Sequence, residues 1–262
     1  MAQTHDPETS DELLGAGQVI RIGVLTPHVT IGSEAEFAEI APGHVVTRVV
    51  RVTGNRQGGG DGGPASATAL LAAAELPVLE RAARELVGNG VDVIGYASTT
   101  SAYVIGFGAE SAIVSRLSQL TGLPVASTCA AAVLALRVLE VRRVALVGAP
   151  WFSPRSNEAA TDYFREREFE VVCSASAELS LDPERIEPNA VHEWVSGHVG
   201  DSAQAVFIGG NGFRSARAIE GLEVTLGRPV LTANQVLLWK LLADTGEPPL
   251  VGGFGQLFAH RP

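Results

Sequence analysis

Short apolar runs alternate along this chain with longer stretches whose apolar positions recur at helical spacing. Gln18 to Leu25 reads as a strand, ended by Thr26-Pro27. Leu76, Leu79, Ala83 and Leu86-Val87 share one helical face, Glu80, Arg81, Arg84 and Glu85 face water, and Gly88-Asn89-Gly90 terminates that helix. Further strands are predicted at 91–97, 124–127, 142–148, 169–173, 204–209 and 229–232, and helices at 109–121, 130–140, 155–168, 188–199, 214–226 and 234–244. Strand and helix in regular alternation predict an α/β protein with parallel sheets and helices on both faces.

The pattern restarts at Arg142-Arg143-Val144-Ala145-Leu146-Val147-Gly148, as a second first strand would. The expected architecture is therefore two similar Rossmann-like lobes with a site in the crevice between them. Lobe 1 spans 19–127 plus 236–262 and lobe 2 spans 128–235, with residues 1–17 as a loose polar tail. The glycine-rich run from Gly58 to Pro64 reads as a loop, either a lid over the crevice or a slack connection.

Composition narrows the function classes. A net charge of −10 with no basic stretch argues against nucleic-acid binding. Gly, Ser or charged residues interrupt every apolar run before membrane-spanning length, and Met1 to Gly17 lacks the apolar core of a signal peptide. Cys129 and Cys173 lack zinc or redox spacing and read as buried free thiols. The expectation is a cytoplasmic protein. Without a metal-ligand cluster, a phosphate-binding loop or a dinucleotide-binding glycine motif in the sequence, no cofactor is implied.

Two strand ends carry the candidate chemistry. Val91 to Tyr96 runs into Ala97-Ser98-Thr99-Thr100-Ser101, and Ala205 to Ile208 runs into Gly209-Gly210-Asn211-Gly212-Phe213-Arg214. Buried parallel strands deliver their carboxyl ends to a binding crevice in this way. Hydroxyls and free N–H groups at 98–101 can hold a carboxylate or stabilise an enediolate, or they can simply cap the next helix. The glycines at 209–212 can equally be a tight turn. In the first turn, His28 has the pKa range of a proton carrier but can be an ordinary loop residue. Asn234 is a helix N-cap candidate on its own terms, and Trp151 and Phe152 can form an apolar wall or simply pack between the lobes.

Taken together these segments resemble the aspartate/glutamate racemase superfamily, in its maleate isomerase and arylmalonate decarboxylase branch. Ser98-Thr99-Thr100 is similar to that family's Cys-Thr-Ser segment, and Gly210-Asn211-Gly212-Phe213-Arg214 to its Cys-x-Asn-Leu-Arg segment. Thr26-Pro27-His28-Val29-Thr30-Ile31-Gly32-Ser33-Glu34 resembles Pro-Ser-Ser-Asn-Thr-x-x-Glu, with Thr30 in place of a substrate-binding asparagine. Trp151 or Phe152, depending on a one-residue shift, replaces a tyrosine, while Asn157 matches the following asparagine. Pro229 to Trp239, with Asn234, and the ending Gly253 to Phe258 follow the family closely.

The resemblance implies that Ser98 and Gly210 stand where two catalytic cysteines would be. It implies substrate contacts at Thr30, Thr99, Thr100, Trp151, Asn157, Gly210, Asn211, Gly212 and Asn234, a small carboxylate ligand and a homodimer. Loss of the tyrosine points to a substrate larger or less polar than maleate. Two readings of function stay open. One is a cofactor-independent isomerase or carbon–carbon lyase acting on a small carboxylate or dicarboxylate without cysteine, with Ser98 and His28 as the catalytic candidates. The other is a non-catalytic carboxylate-binding relative that has lost its proton carriers. The difficulty for the first is that a serine hydroxyl is far less acidic than a thiol of pKa about 8.5 and needs a base beside it.

Overall fold

The computed structural model describes residues 19–52, 67–246 and 251–262. The expected tail at 1–17 and the Gly58–Gly63 loop lie outside the described residues.

Two four-stranded sheets, all parallel, repeat one topology. The first has β1 (Ile20–Thr26), β2 (Val45–Arg51), β3 (Val93–Tyr96) and β4 (Val125–Ser127) in the order β2-β1-β3-β4. The second has β5 (Arg143–Gly148), β6 (Glu170–Ser176), β7 (Ala205–Ile208) and β8 (Val230–Thr232) in the order β6-β5-β7-β8. Parallel neighbours need crossovers, and helices supply each one. In the first half these are α1 (Ser33–Ile40), α2 (Ala67–Ala73), α3 (Leu76–Gly88) and α4 (Thr99–Thr121), with α5 (Thr128–Val138) leading to β5. In the second they are α6 (Pro154–Arg165), α7 (Pro188–His198) and α8 (Ile219–Leu226), and α9 (Ala233–Asp244) follows β8 as α5 follows β4. The two halves thus share one strand order, the first carrying one more α-helix, α2, in its second crossover.

The central strands β3 and β7 are buried along their whole length, which is why they appear in sequence as unbroken apolar runs. At the junction of the halves α9 packs on α5, α1, β3 and β4. Gly95 has no side chain at the point where Leu237 and Leu241 of α9 press on β3. The final segment lies on α9 and α8: Gln235 Nε2 donates to the Phe254 carbonyl, Trp239 Nε1 to that of His260, and the Gln256 amide to Glu223.

The structure departs from the predicted elements most clearly in four places. The sequence reading placed no strand at 45–51. β2 is an edge strand, partly exposed and interrupted by Arg48, so it lacks the apolar continuity of an inner strand. It placed no helix at 33–40 or 67–73 either. α1 has only Phe37 and Ile40 as large apolar anchors, and α2 has no acidic first turn or basic last turn to mark its ends. The helix expected at 109–121 is present, but a further helical segment from Thr99 precedes it, and the two join at a kink where Gly106, with φ +77°, leaves helical geometry.

A candidate carboxylate pocket between the two lobes

A cavity of about 340 Å³ opens where the first turn of lobe 1 meets the first turn of lobe 2. Pro27, His28, Val29 and Thr30 after β1 form one side, and Trp151, Phe152 and Ser153 after β5 form the other. Thr100 in the first turn of α4 and Ser156 in the first turn of α6 add hydroxyls, and Leu70, Leu181 and Pro183 complete an apolar rim. Helix starts expose amide N–H groups that no carbonyl within the helix satisfies. Ser98 and Ser153 each cap one such group, accepting from Ser101 N and Ser156 N at 3.2 Å. Two helices therefore direct their N-termini at the neighbourhood of one pocket.

Four of the residues singled out in sequence, His28, Thr30, Thr100 and Trp151, line this cavity. His28 is held by its amide on Thr26 Oγ1 (3.3 Å), and its Nε2 is buried with no hydrogen-bond partner among the described residues. Burial, with the charge of Arg51 adding to it, pushes its pKa down to about 4, so the ring is neutral at physiological pH. The turn that carries it is braced by Glu34, which accepts from Gly32 N (3.1 Å) and from Arg51 (2.6 Å).

The other candidates sit elsewhere. Ser98 is buried and donates to Ser101 Oγ at 2.8 Å, and among the described residues no titratable group is within hydrogen-bond distance of its hydroxyl. Thr99 is fully buried. Asn157 donates to Ser176 Oγ (2.9 Å) and lines an outer groove on lobe 2 and a small void beside Tyr103 and Gly209, not the 340 Å³ cavity. Gly210 adopts φ +109°, a region that favours glycine, and a Cβ there would sit 2.9 Å from that of Ala149. Gly212 backs onto Thr30 and Trp151.

Asn211 and Asn234 belong to a buried polar junction. Asn234 Oδ1 accepts from Ser33 Oγ (2.8 Å) and Asn211 Nδ2 (2.9 Å), while its Nδ2 donates to Glu36 (2.7 Å) and to the Asn211 carbonyl (3.0 Å). Asn211 Nδ2 also donates to Thr128 Oγ1 at 3.1 Å, and Glu36 accepts from Ala216 N at 2.6 Å. Burial pushes the Glu36 pKa up to about 7, against the opposing pull of these donors. The backbones close to contact here: a Cβ on Gly32 would fall 2.1 Å from the Asn211 carbonyl oxygen.

Sequence reasoning offered Phe152 only as an alternative to Trp151, and missed Ser153 and Ser156 as pocket residues and Ser33 and Glu36 as partners of the two asparagines. The run Ser153-Pro154 with Ser156 was a legible helix start. Nothing local to Glu36 marks a bond to residue 216 or 234. Among the described residues no cluster of His, Cys, Asp or Glu is arranged to hold a metal, and no helix is long and apolar enough to cross a membrane.

Fold and pocket define a two-lobed α/β protein with a small site between its halves. The arylmalonate decarboxylase family model matches residues 75–258. A maleate isomerase from Pseudomonas putida is 30% identical over 188 residues, covering 69% of this chain and 74% of that protein. The chain belongs to the arylmalonate decarboxylase/maleate isomerase family, within the aspartate/glutamate racemase superfamily. Solved structures share the fold. A variant of the maleate isomerase Iso from Pseudomonas putida, crystallised with maleate, superposes with a TM-score of 0.81 at 24% identity, covering 94% of this chain and 100% of its own. An arylmalonate decarboxylase gives 0.71 at 21%, covering 91% and 99%. A Nocardia farcinica maleate cis-trans isomerase mutant with a covalently bound succinylcysteine intermediate gives 0.77 at 23%, covering 92% and 98%.

Proposed function

We propose that this protein is a cofactor-independent enzyme of isomerase or carbon–carbon lyase type that acts on a small carboxylate or dicarboxylate without a crevice cysteine. The observation that carries the reading is the convergence of two helix starts, Thr100 of α4 and Ser153 and Ser156 at α6, on one cavity of about 340 Å³. Amide N–H groups at a helix start carry partial positive charge and accept an anion. When a proton or a carboxyl group leaves the carbon beside a bound carboxylate, charge moves onto the carboxylate oxygens as an enediolate. Donors already aimed at those oxygens then bind more strongly, which lowers the barrier.

Thr30 and Thr100 hold the carboxylate in this reading. His28, neutral at physiological pH, is the proton acceptor in the pocket wall. Ser98 orders the α4 terminus through Ser101. Trp151 and the apolar rim favour a substrate larger or less polar than maleate. The Nocardia relative forms its adduct on a cysteine; Ser98 and Gly210, which resemble the family's cysteine positions, offer no thiol for that route.

A second reading, a carboxylate-binding relative without turnover, is favoured by one feature, the lack of a titratable partner for Ser98 among the described residues. Proton NMR in D₂O over maleate, aspartate, arylmalonates and hydantoins separates the two. Deuterium incorporation or product that is lost in His28→Ala supports the enzyme. Ligand line broadening with neither exchange nor product supports the binder.

A further inference from the structure

Phe152 lines three cavities among the described residues. They are the 340 Å³ crevice pocket, a small void of about 10 Å³ beside Tyr103 and Gly209, and an outer groove of about 730 Å³ reached past Asn157 and Arg165. Its ring lies over three glycines at the ends of β5 and β7. The ring Cδ2 is 2.9 Å from where a Cβ on Gly148 would be, Cε2 is 3.8 Å from that of Gly209, and Cζ is 3.5 Å from that of Gly210. A turn fixes the ring in place: Phe152 N donates to the Ala149 carbonyl at 2.9 Å, and Ser176 Oγ donates to the Phe152 carbonyl at 2.9 Å. Both contacts are to backbone, so the turn keeps them when the side chain changes.

We propose that Phe152 is the size-determining residue of the crevice site, an aromatic partition that ends the pocket at its inner side and separates it from the outer groove. This rests on the carboxylate reading of the pocket. The glycines are what make the partition possible, since a side chain at 148 would displace the ring. With the ring in place, the pocket is bounded by a flat apolar wall against which a substituent on the bound acid must stop. Shortening the side chain joins the pocket to the void and the groove and removes that stop, while Thr30 and Thr100 stay where they are. The carboxylate end of the ligand is therefore held as before, and only the permitted length of its other end changes.

The test is calorimetric titration of 2-alkylmalonates of increasing chain length against wild type, Phe152→Leu and Phe152→Ala, with circular dichroism confirming that each variant is folded. The leucine variant is included because truncation to alanine in a packed wall can destabilise the protein by several kcal/mol. Expected is a chain-length limit in wild type that moves to longer acids in the folded variants, with at least a tenfold gain for the first acid that wild type excludes. An unchanged limit in the folded variants overturns the proposal. Toluene serves as an uncharged probe of the opened space. If no malonate binds any of the proteins but toluene binds Phe152→Ala and not wild type, the partition stands and the carboxylate reading falls. If toluene also distinguishes none of them, the partition falls.

Discussion

The polar junction and the pocket are built from the same kinds of residue, and they differ in what those residues have left to give. At the junction, Ser33, Asn211, Asn234, Thr128 and Glu36 spend their hydrogen bonds on each other and on backbone groups, tying α1 of the first lobe to the β7 and β8 ends of the second. In the pocket, Thr30 and Thr100 line open space beside two helix starts, where the first amides have no carbonyl partner within the helix. Buried polar groups are costly unless paired, so a saturated network holds structure, and spare donors beside a cavity hold ligands. Asn211 and Asn234, which sequence resemblance assigned to substrate, make their hydrogen bonds within this junction. The cavity draws its hydroxyls and helix starts from both lobes, and the second strand end lies beneath the Phe152 ring.

Three substitutions bear on the contrast, and they differ in size. Asn234→Ala strips partners from Ser33, Asn211 and Glu36 together and should cost roughly 3–5 kcal/mol in urea unfolding. A loss below about 1 kcal/mol would show that the junction does not hold the lobes.

Glu36→Gln removes a pH dependence. Glu36 holds its proton up to about pH 7 in the folded protein, against an ordinary value of 4.5. The unfolded chain therefore releases this proton first, and stability is lost as pH rises from 4.5 to about 7, then levels off. The gap between wild type and Glu36→Gln should move against wild type by about 3 kcal/mol over that window. His28 acts in the opposite sense. Its pKa is depressed to about 4, so stability from this group is lost as pH falls from 6.5 to about 4, and the glutamine variant should expose that slope alone. Unfolding midpoints at a series of pH values measure both, and a gap independent of pH would refute the Glu36 assignment.

Thr100→Val should leave stability nearly untouched and weaken carboxylate binding about fivefold to tenfold, the scale of one hydrogen bond of about 1 kcal/mol. Calorimetric affinity beside the unfolding midpoint reads this. The opposite pattern, stability lost and affinity kept, would place Thr100 with the junction.

Much of the frame was legible in the chain. Alternating strands and helices, the restart at Arg142 and the strand ends at Ser98 and Gly210 follow from short-range patterns, because backbone propensity and amphipathic spacing act over a few residues. Edge strand β2 and the short helices α1 and α2 escaped for the same reason, since their burial comes from distant partners. Of the site, the hydroxyl-rich start at 98–101 was visible as either a cap or an anion site. The structure divides it: Ser98 caps while Thr100 reaches the pocket.

By itself, then, the sequence determined most of the segments that become strands and helices, edge strand β2 and helices α1 and α2 apart, and which turns collect small polar residues. Only the tertiary structure decided which of those polar groups are used up and which remain free. The bonds that settle it join Ser33 to Asn234 across 201 residues and Glu36 to Ala216 across 180. A side chain's local sequence specifies what it can donate or accept. Whether it meets protein or ligand depends on a partner that folding brings to it from the other half of the chain.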